Sequence, residues 1–165
     1  NDPNAILPYP EWRRFLKEDD LKALKDAGFD FLRMPVDPSP FLSDETLALR
    51  DDLYASVLDS ARMINRAGLK VIVDMHLIPA GGNRKIGMGQ VMDDPETFDA
   101  YVDVVRRMAR TLSAEDPSQV AFEPMNEPIV DCDGDGTSLW PERQKKLFAA
   151  ARSSATRLTL ILTGA

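Results

Sequence analysis

The stretch from Asn65 to His76, NRAGLKVIVDMH, decides the fold. A glycine interrupts a helical pattern, and an apolar run follows at once. Gly68 suits the left-handed turn that closes a helix C-terminus. The run from Leu69 to His76 shows little polar alternation, as expected for a parallel strand covered on both faces. The same arrangement stands upstream in KDAGFDFLRMPV, Lys25 to Val36. Two more apolar runs follow downstream, QVAFEPMN (119–126) and LTLILTG (158–164).

Helical patterns lie between these runs. One places Leu21, Leu24 and Ala27 on a single face and stops at Gly28. A second gathers Leu53, Val57, Leu58, Ala61 and Ile64 and stops at Gly68. A third opens at Asp94, a good N-cap, with Pro95 at the first helical position. Its apolar set is Phe98, Val102, Val105 and Ala109. A fourth is expected from Pro141 onward. Helix, glycine, buried strand, loop is the rhythm of an α/β barrel or a doubly wound sheet.

The chain has 165 residues, which suits one domain over 1–165. Hydrophobic residues make up 44% and charged residues 28%, a balance that gives a packed core and a wet surface. A net charge of -7 argues against a nucleic-acid partner, which needs a basic surface. No apolar run is long enough to span a membrane, so no membrane partner is expected. Cys132 is the only cysteine and His76 the only histidine, so no disulfide or His-pair zinc site forms within the chain. The polar, proline-rich opening NDPNAILPYPEW reads as a processed or truncated start rather than a signal segment.

Long segments follow the strands, and short ones follow the helices. LIPAGGNRKIGMGQVMDD (77–94) follows the second run, and EPIVDCDGDGTSLWP (127–141) the third. In both architectures, loops at strand C-termini carry the site. The glycines of the first loop fit no nucleotide-binding spacing, so it is expected to be a plain flexible loop. The third run ends in FEPMNEP (122–128). On a continuing strand Glu123, Met125 and Glu127 would share one face. Carboxylates on a buried face are costly unless paired or used.

These residues carry a resemblance. FEPMNEP resembles the Asn-Glu-Pro motif of glycoside hydrolase family 5, the cellulase-like retaining glycosidases of clan A. AGFDFLRMPV is similar to the second barrel strand of that family, with its arginine at Arg33. AGLKVIVDMH resembles the third strand, with its terminal histidine at His76. VAFEPMNEP resembles the fourth and RLTLILTGA the fifth, in the family's order. The implied fold is α/β, a partial (β/α)8 TIM barrel. It would hold about four parallel strands with helices, the second to fifth βα units, and lack the first and the last strands.

The resemblance implies a retaining glycoside hydrolase, endoglucanase-like, that cleaves a β-linked glucan or related polysaccharide. Glu127 would be the acid/base. Asn126 would hydrogen-bond the sugar beside the cleaved bond, Arg33 would orient carboxylates, and His76 would line the sugar subsite. Retention needs a second carboxylate about 5 Å away. Its charge, with a dry site, would raise the pKa of Glu127. That nucleophile belongs on the seventh strand and is expected outside this chain; Asp37 or Asp74 is a poor substitute. No metal and no cofactor are implied. Secreted or periplasmic location is expected by family analogy only.

Structural readings stand beside these roles. His76 also fits a hydrogen-bonded core residue, and Arg33 an ion pair with Glu123. Trp140 is either a sugar-stacking platform or the staple that seats the next helix. Glu123 reads as structural, and Tyr101 and Phe98 as packing. Two other functions compete. A half-barrel with open edges invites pairing with a second half-barrel or a second copy. DCDGDGTSLWPE (131–142) fits the calcium-loop pattern at each fixed position. Against that, a strand rather than a helix precedes it, and no second such loop exists.

Overall fold

The computed structural model describes residues 17–82, 84–128 and 139–164. Helix α1 (Glu18–Asp26) leads into strand β1 (Phe31–Val36). Short helix α2 (Ser39–Leu42) and a 3-10 turn (Asp44–Leu49) then deliver helix α3 (Arg50–Arg66) and strand β2 (Lys70–Met75). Helices α4 (Met88–Asp93) and α5 (Pro95–Leu112) precede strand β3 (Val120–Glu123). Helix α6 (Trp140–Ser154) precedes strand β4 (Thr159–Leu160). The strands form one sheet in the order β1-β2-β3-β4, and every pairing is parallel. This sequential parallel order with helical crossovers is the expected partial barrel.

The glycines predicted to end helices do so. Gly28 has φ 93° and Gly68 has φ 82°. Around Gly68 the Leu69 amide donates to Ile64 O at 3.3 Å and the Gly68 amide to Asn65 O at 2.9 Å. Phe29 and Gly28 repeat this on Leu24 and Lys25. These paired bonds are the Schellman closure, which satisfies the last helical carbonyls and aims the chain into the strand. It also explains why β1 starts at Phe31 rather than Phe29, since the Phe29 amide is already committed to the helix. At α5 the Asp94 carboxylate caps the helix by accepting from the Thr97 amide at 2.7 Å, with Pro95 next in line.

The helices cover one sheet face. Val71, Val73, Met75, Val120 and Phe122 are buried there against Ile64, Phe98, Tyr101 and Met108. The α3 and α5 faces match the sequence pattern, but Ala27 on α1 is exposed. On the opposite face the strands carry Arg33, Ile72, Asp74, Ala121 and Glu123, in register.

The segment 77–94 differs from the expected plain loop. A bridge pairs Gly81 with Arg84, and α4 occupies its second half. Gly87 is fixed by contact rather than by freedom. A Cβ there would overlap the Ala80 amide nitrogen and the Ile78 carbonyl. Its amide donates to Gln90 Oε1 at 3.1 Å, which starts the helix.

Gly68→Ala should cost about 1–2 kcal/mol, because it forces a side chain into the left-handed region. Gly81→Ala, whose Cβ would meet nothing within 4 Å, should stay within about 0.5 kcal/mol of the parent. Urea unfolding midpoints distinguish the two; equal shifts would contradict this account of the helix ends.

Candidate active site

The predicted residues converge where the strands end. Arg33 leaves β1 and reaches across β2 to β3. Its Nε and Nη2 donate to Glu123 Oε2 and Oε1 at 2.8 and 2.9 Å, a bidentate pair. Nη2 also donates to Asn126 Oδ1 at 2.6 Å. Nη1 lies 3.1 Å from Asp74 Oδ2. One guanidinium therefore binds two carboxylates and the motif asparagine. The expected Arg33–Glu123 ion pair is present, and Arg33 reaches the site as well.

Asp74 is fully buried, and its Oδ2 meets His76 Nδ1 at 2.8 Å. Burial pushes its carboxyl above the usual range; the His76 hydrogen bond and the Arg33 charge oppose that push, and Glu123 adds to it. The hydrogen bond to Glu123 is the main reason the Arg33 guanidinium holds its proton still more firmly than usual. The charges of Asp74, Glu123 and Glu127 add to this, so the field of Glu127 reaches the cluster.

The strand does not continue through the motif as expected. It ends at Glu123, and alternation stops at Pro124, which has no amide to donate. Met125 is buried, Asn126 is buried, and Glu127 is exposed with φ 38°. Glu127 is the one non-glycine residue with positive φ among the described residues. Such a conformation persists only where the surroundings enforce it. Here they do. Tyr101 Oη donates to Pro124 O at 2.5 Å, the Asn126 amide to Met75 O at 3.1 Å, and Thr163 Oγ1 to Met125 O.

Trp140 is placed otherwise than a stacking platform requires. It is 4% exposed, and its Nε1 donates to Thr163 O at 3.1 Å. The buried ring seats α6 and holds Thr163, in the segment after β4 that touches Met125, so the staple reading fits it. Asp37 is held by Arg84 at 2.7 Å and by the Ser39 amide at 3.0 Å. Asp37 and Asp74 are thus both engaged by arginines. The loop 131–142 lies outside the described residues up to position 138, and its calcium reading with it. Sequence reasoning missed the Asp74–His76 couple and the tethers from Tyr101 and Thr163. Two-residue spacing on a strand puts Asp74 and His76 on one face, a signal that was available.

The profile of Cellulase (glycosyl hydrolase family 5) matches residues 7–165. The chain belongs to glycoside hydrolase family 5. It is 25% identical over 151 residues to endoglucanase C of Acetivibrio thermocellus, covering 91% of this chain and 43% of that protein. It is 28% identical over 126 residues to a probable glucan 1,3-beta-glucosidase A of Aspergillus fumigatus, covering 72% of this chain and 30% of that protein. The fold superposes on a family 5 enzyme of Prevotella bryantii, solved with a xyloglucan tetradecasaccharide, with TM-score 0.73. That match has 19% identity and covers 98% of this chain and 51% of the other. The chain thus spans about half or less of the family members it matches, here 43%, 30% and 51% of their lengths.

Removing the guanidinium should strand two carboxylates. Arg33→Ala is expected to destabilise by about 3 kcal/mol, the low end for a broken buried pair, because the arginine edge is partly open to solvent. Adding Glu123→Gln should return part of that loss in denaturation at neutral pH; a purely additive double variant would argue against the coupling.

Asp74 also sets a pH dependence. Its folded carboxyl lies above the usual 3.8, so the native state holds the proton more tightly than the unfolded chain. The stability it confers is full below the unfolded value and is lost as pH rises through the folded one. The stability of the parent minus that of Asp74→Asn should therefore fall as pH is raised from about 4. A difference that rises over that range would contradict the burial argument.

Proposed function

We propose that this chain is the acid/base half of a retaining glycosidase acting on β-linked polysaccharide. The observation that carries the reading is the strained, exposed Glu127, tethered on one side and next to an asparagine fixed by Arg33. Glu127 would protonate the glycosidic oxygen and later activate water. Asn126 would donate its amide to the sugar, since Arg33 already occupies its oxygen. His76 would line the subsite, and Arg33 would orient the carboxylates.

The relatives named as endoglucanase and glucan glucosidase support a β-linked glucan or a similar glycan as substrate. The nucleophile would be a carboxylate from a part of the barrel beyond the four described strands, because Asp74 and Glu123 are both engaged by Arg33. A secreted or periplasmic location accompanies this reading by analogy. No described helix is long and apolar enough to cross a membrane.

In the intact protein, Glu127→Gln should lower cleavage of a soluble β-glucan by about 10²–10⁴-fold. Binding of the glycan should survive. Undiminished turnover would sink the assignment. Proton NMR of the first product should show the anomeric configuration retained.

A second reading rests on the open sheet face. Phe31 shares the Arg33 side of β1 and is 55% exposed. The outer edges of β1 and β4 are unpaired among the described strands. A second half-barrel or a second copy would cover both. Sedimentation of the 165-residue chain tests this, with a monomer at all concentrations as the contrary result.

A further inference from the structure

We propose that Asp74 is a positioning residue that fixes the tautomer of His76, placing the proton on Nδ1 and leaving the Nε2 lone pair as a hydrogen-bond acceptor for a sugar hydroxyl. The proton assignment stands on geometry alone; the sugar as donor rests on the glycosidase reading above.

His76 Nδ1 lies 2.8 Å from Asp74 Oδ2, so one of the two atoms carries a proton directed at the other. The same oxygen faces Arg33 Nη1 at 3.1 Å. A guanidinium is a cation with no acceptor, so Oδ2 faces a positive charge. A proton on Oδ2 would have to share that oxygen with a cation. The proton therefore belongs to Nδ1.

The assignment holds whether or not the carboxyl is charged. Asp74 Oδ1 is buried and without a hydrogen-bond partner, whereas Oδ2 has the His76 hydrogen bond and the Arg33 ion pair. Burial favours the neutral carboxyl, and a proton taken up there would sit on Oδ1, away from Arg33. Oδ2 then still faces Arg33 and accepts from His76.

The orientation follows. Asp74 has no exposed side-chain surface, while the His76 side chain is 36% exposed. The Nδ1 edge is thus the buried one, and Nε2, across the ring, belongs to the open part. No described residue hydrogen-bonds to Nε2. The backbone is fixed too, with the His76 amide donating to Val36 O at 2.8 Å. A neutral imidazole has one donor and one acceptor nitrogen. An isolated ring in water prefers the proton on Nε2, so the buried carboxylate reverses the ordinary preference. Asn126 then offers a donor and His76 an acceptor, a complementary pair for sugar hydroxyls.

Nitrogen-15 spectra of the intact, histidine-labelled protein test this, with His76→Gln identifying the resonances. At about pH 8, above the ordinary imidazole range, the expected result is a pyrrole-type shift at Nδ1 and a pyridine-type shift at Nε2. A pyridine-type Nδ1, or a ring carrying both protons, would overturn the proposal. Asp74→Leu removes the acceptor at similar volume and should move the proton largely to Nε2; an unchanged tautomer there would also overturn it. The parent spectrum alone decides if that variant does not fold. The readout is independent of cleavage. An Nδ1–H ring beside a Glu127→Gln variant of undiminished turnover would reject the acid/base assignment and leave the positioning role in place.

Discussion

Asp74 and Glu123 are register partners on adjacent parallel strands, and only a shared cation makes that pairing tolerable. Like charges directly opposite each other repel, and burial strengthens the repulsion. The Arg33 guanidinium answers both carboxylates at once and still has a donor for Asn126. A lysine has one ammonium on a flexible stem and cannot reproduce this fork. The position of Arg33 on β1 thereby fixes the rotamers of residues on β2 and β3, and through them His76 and Asn126. The cluster acts as a crossbeam between three strands.

The motif peptide depends on that crossbeam. Its geometry is unfavourable by itself, since a glutamate at φ 38° is strained. Tyr101 holds it from the helix layer, Met75 from the neighbouring strand, and Thr163 from the segment after β4. Each tether lies on the N-terminal side of Glu127, between Pro124 and Asn126. The carboxylate itself stays exposed. A fixed root and an open tip suit a group that must meet a ligand repeatedly in one orientation.

Much of this was legible in the chain. The alanine-glycine pairs announced both helix ends because a left-handed turn demands glycine. Asp94 and Pro95 announced the start of α5 for an equally local reason. The order Arg33, His76, Asn126, Glu127 pointed to the strand ends, where Arg33 meets Asn126 and Asp74 meets His76. What escaped was non-local or went against local pattern. Pro124 cut the strand short, and alternation alone overran it. The glycines of 77–94 looked permissive, yet Gly87 is there because two backbone segments touch at its Cα. Trp140 stayed open between platform and staple because sequence says nothing of which way an indole packs. Tyr101 looked like packing because its hydroxyl partner lies 23 residues away.

The charged cluster does not explain the stability of the fold. Well-packed apolar residues in place of a buried ion pair are often neutral or stabilising by about 1–4 kcal/mol. The energy for holding it comes from the other side of the same strands. Val73 and Phe122, neighbours in sequence of Asp74 and Glu123, are 0% exposed and pack on the helices. The two-residue period of a strand lets one short segment serve the core with one side chain and the site with the next. A helix could not separate the two roles so closely, because its faces blur over several residues. The parallel strand is therefore what allows a costly set of charges to sit within one residue of the hydrophobic surface that holds it in place.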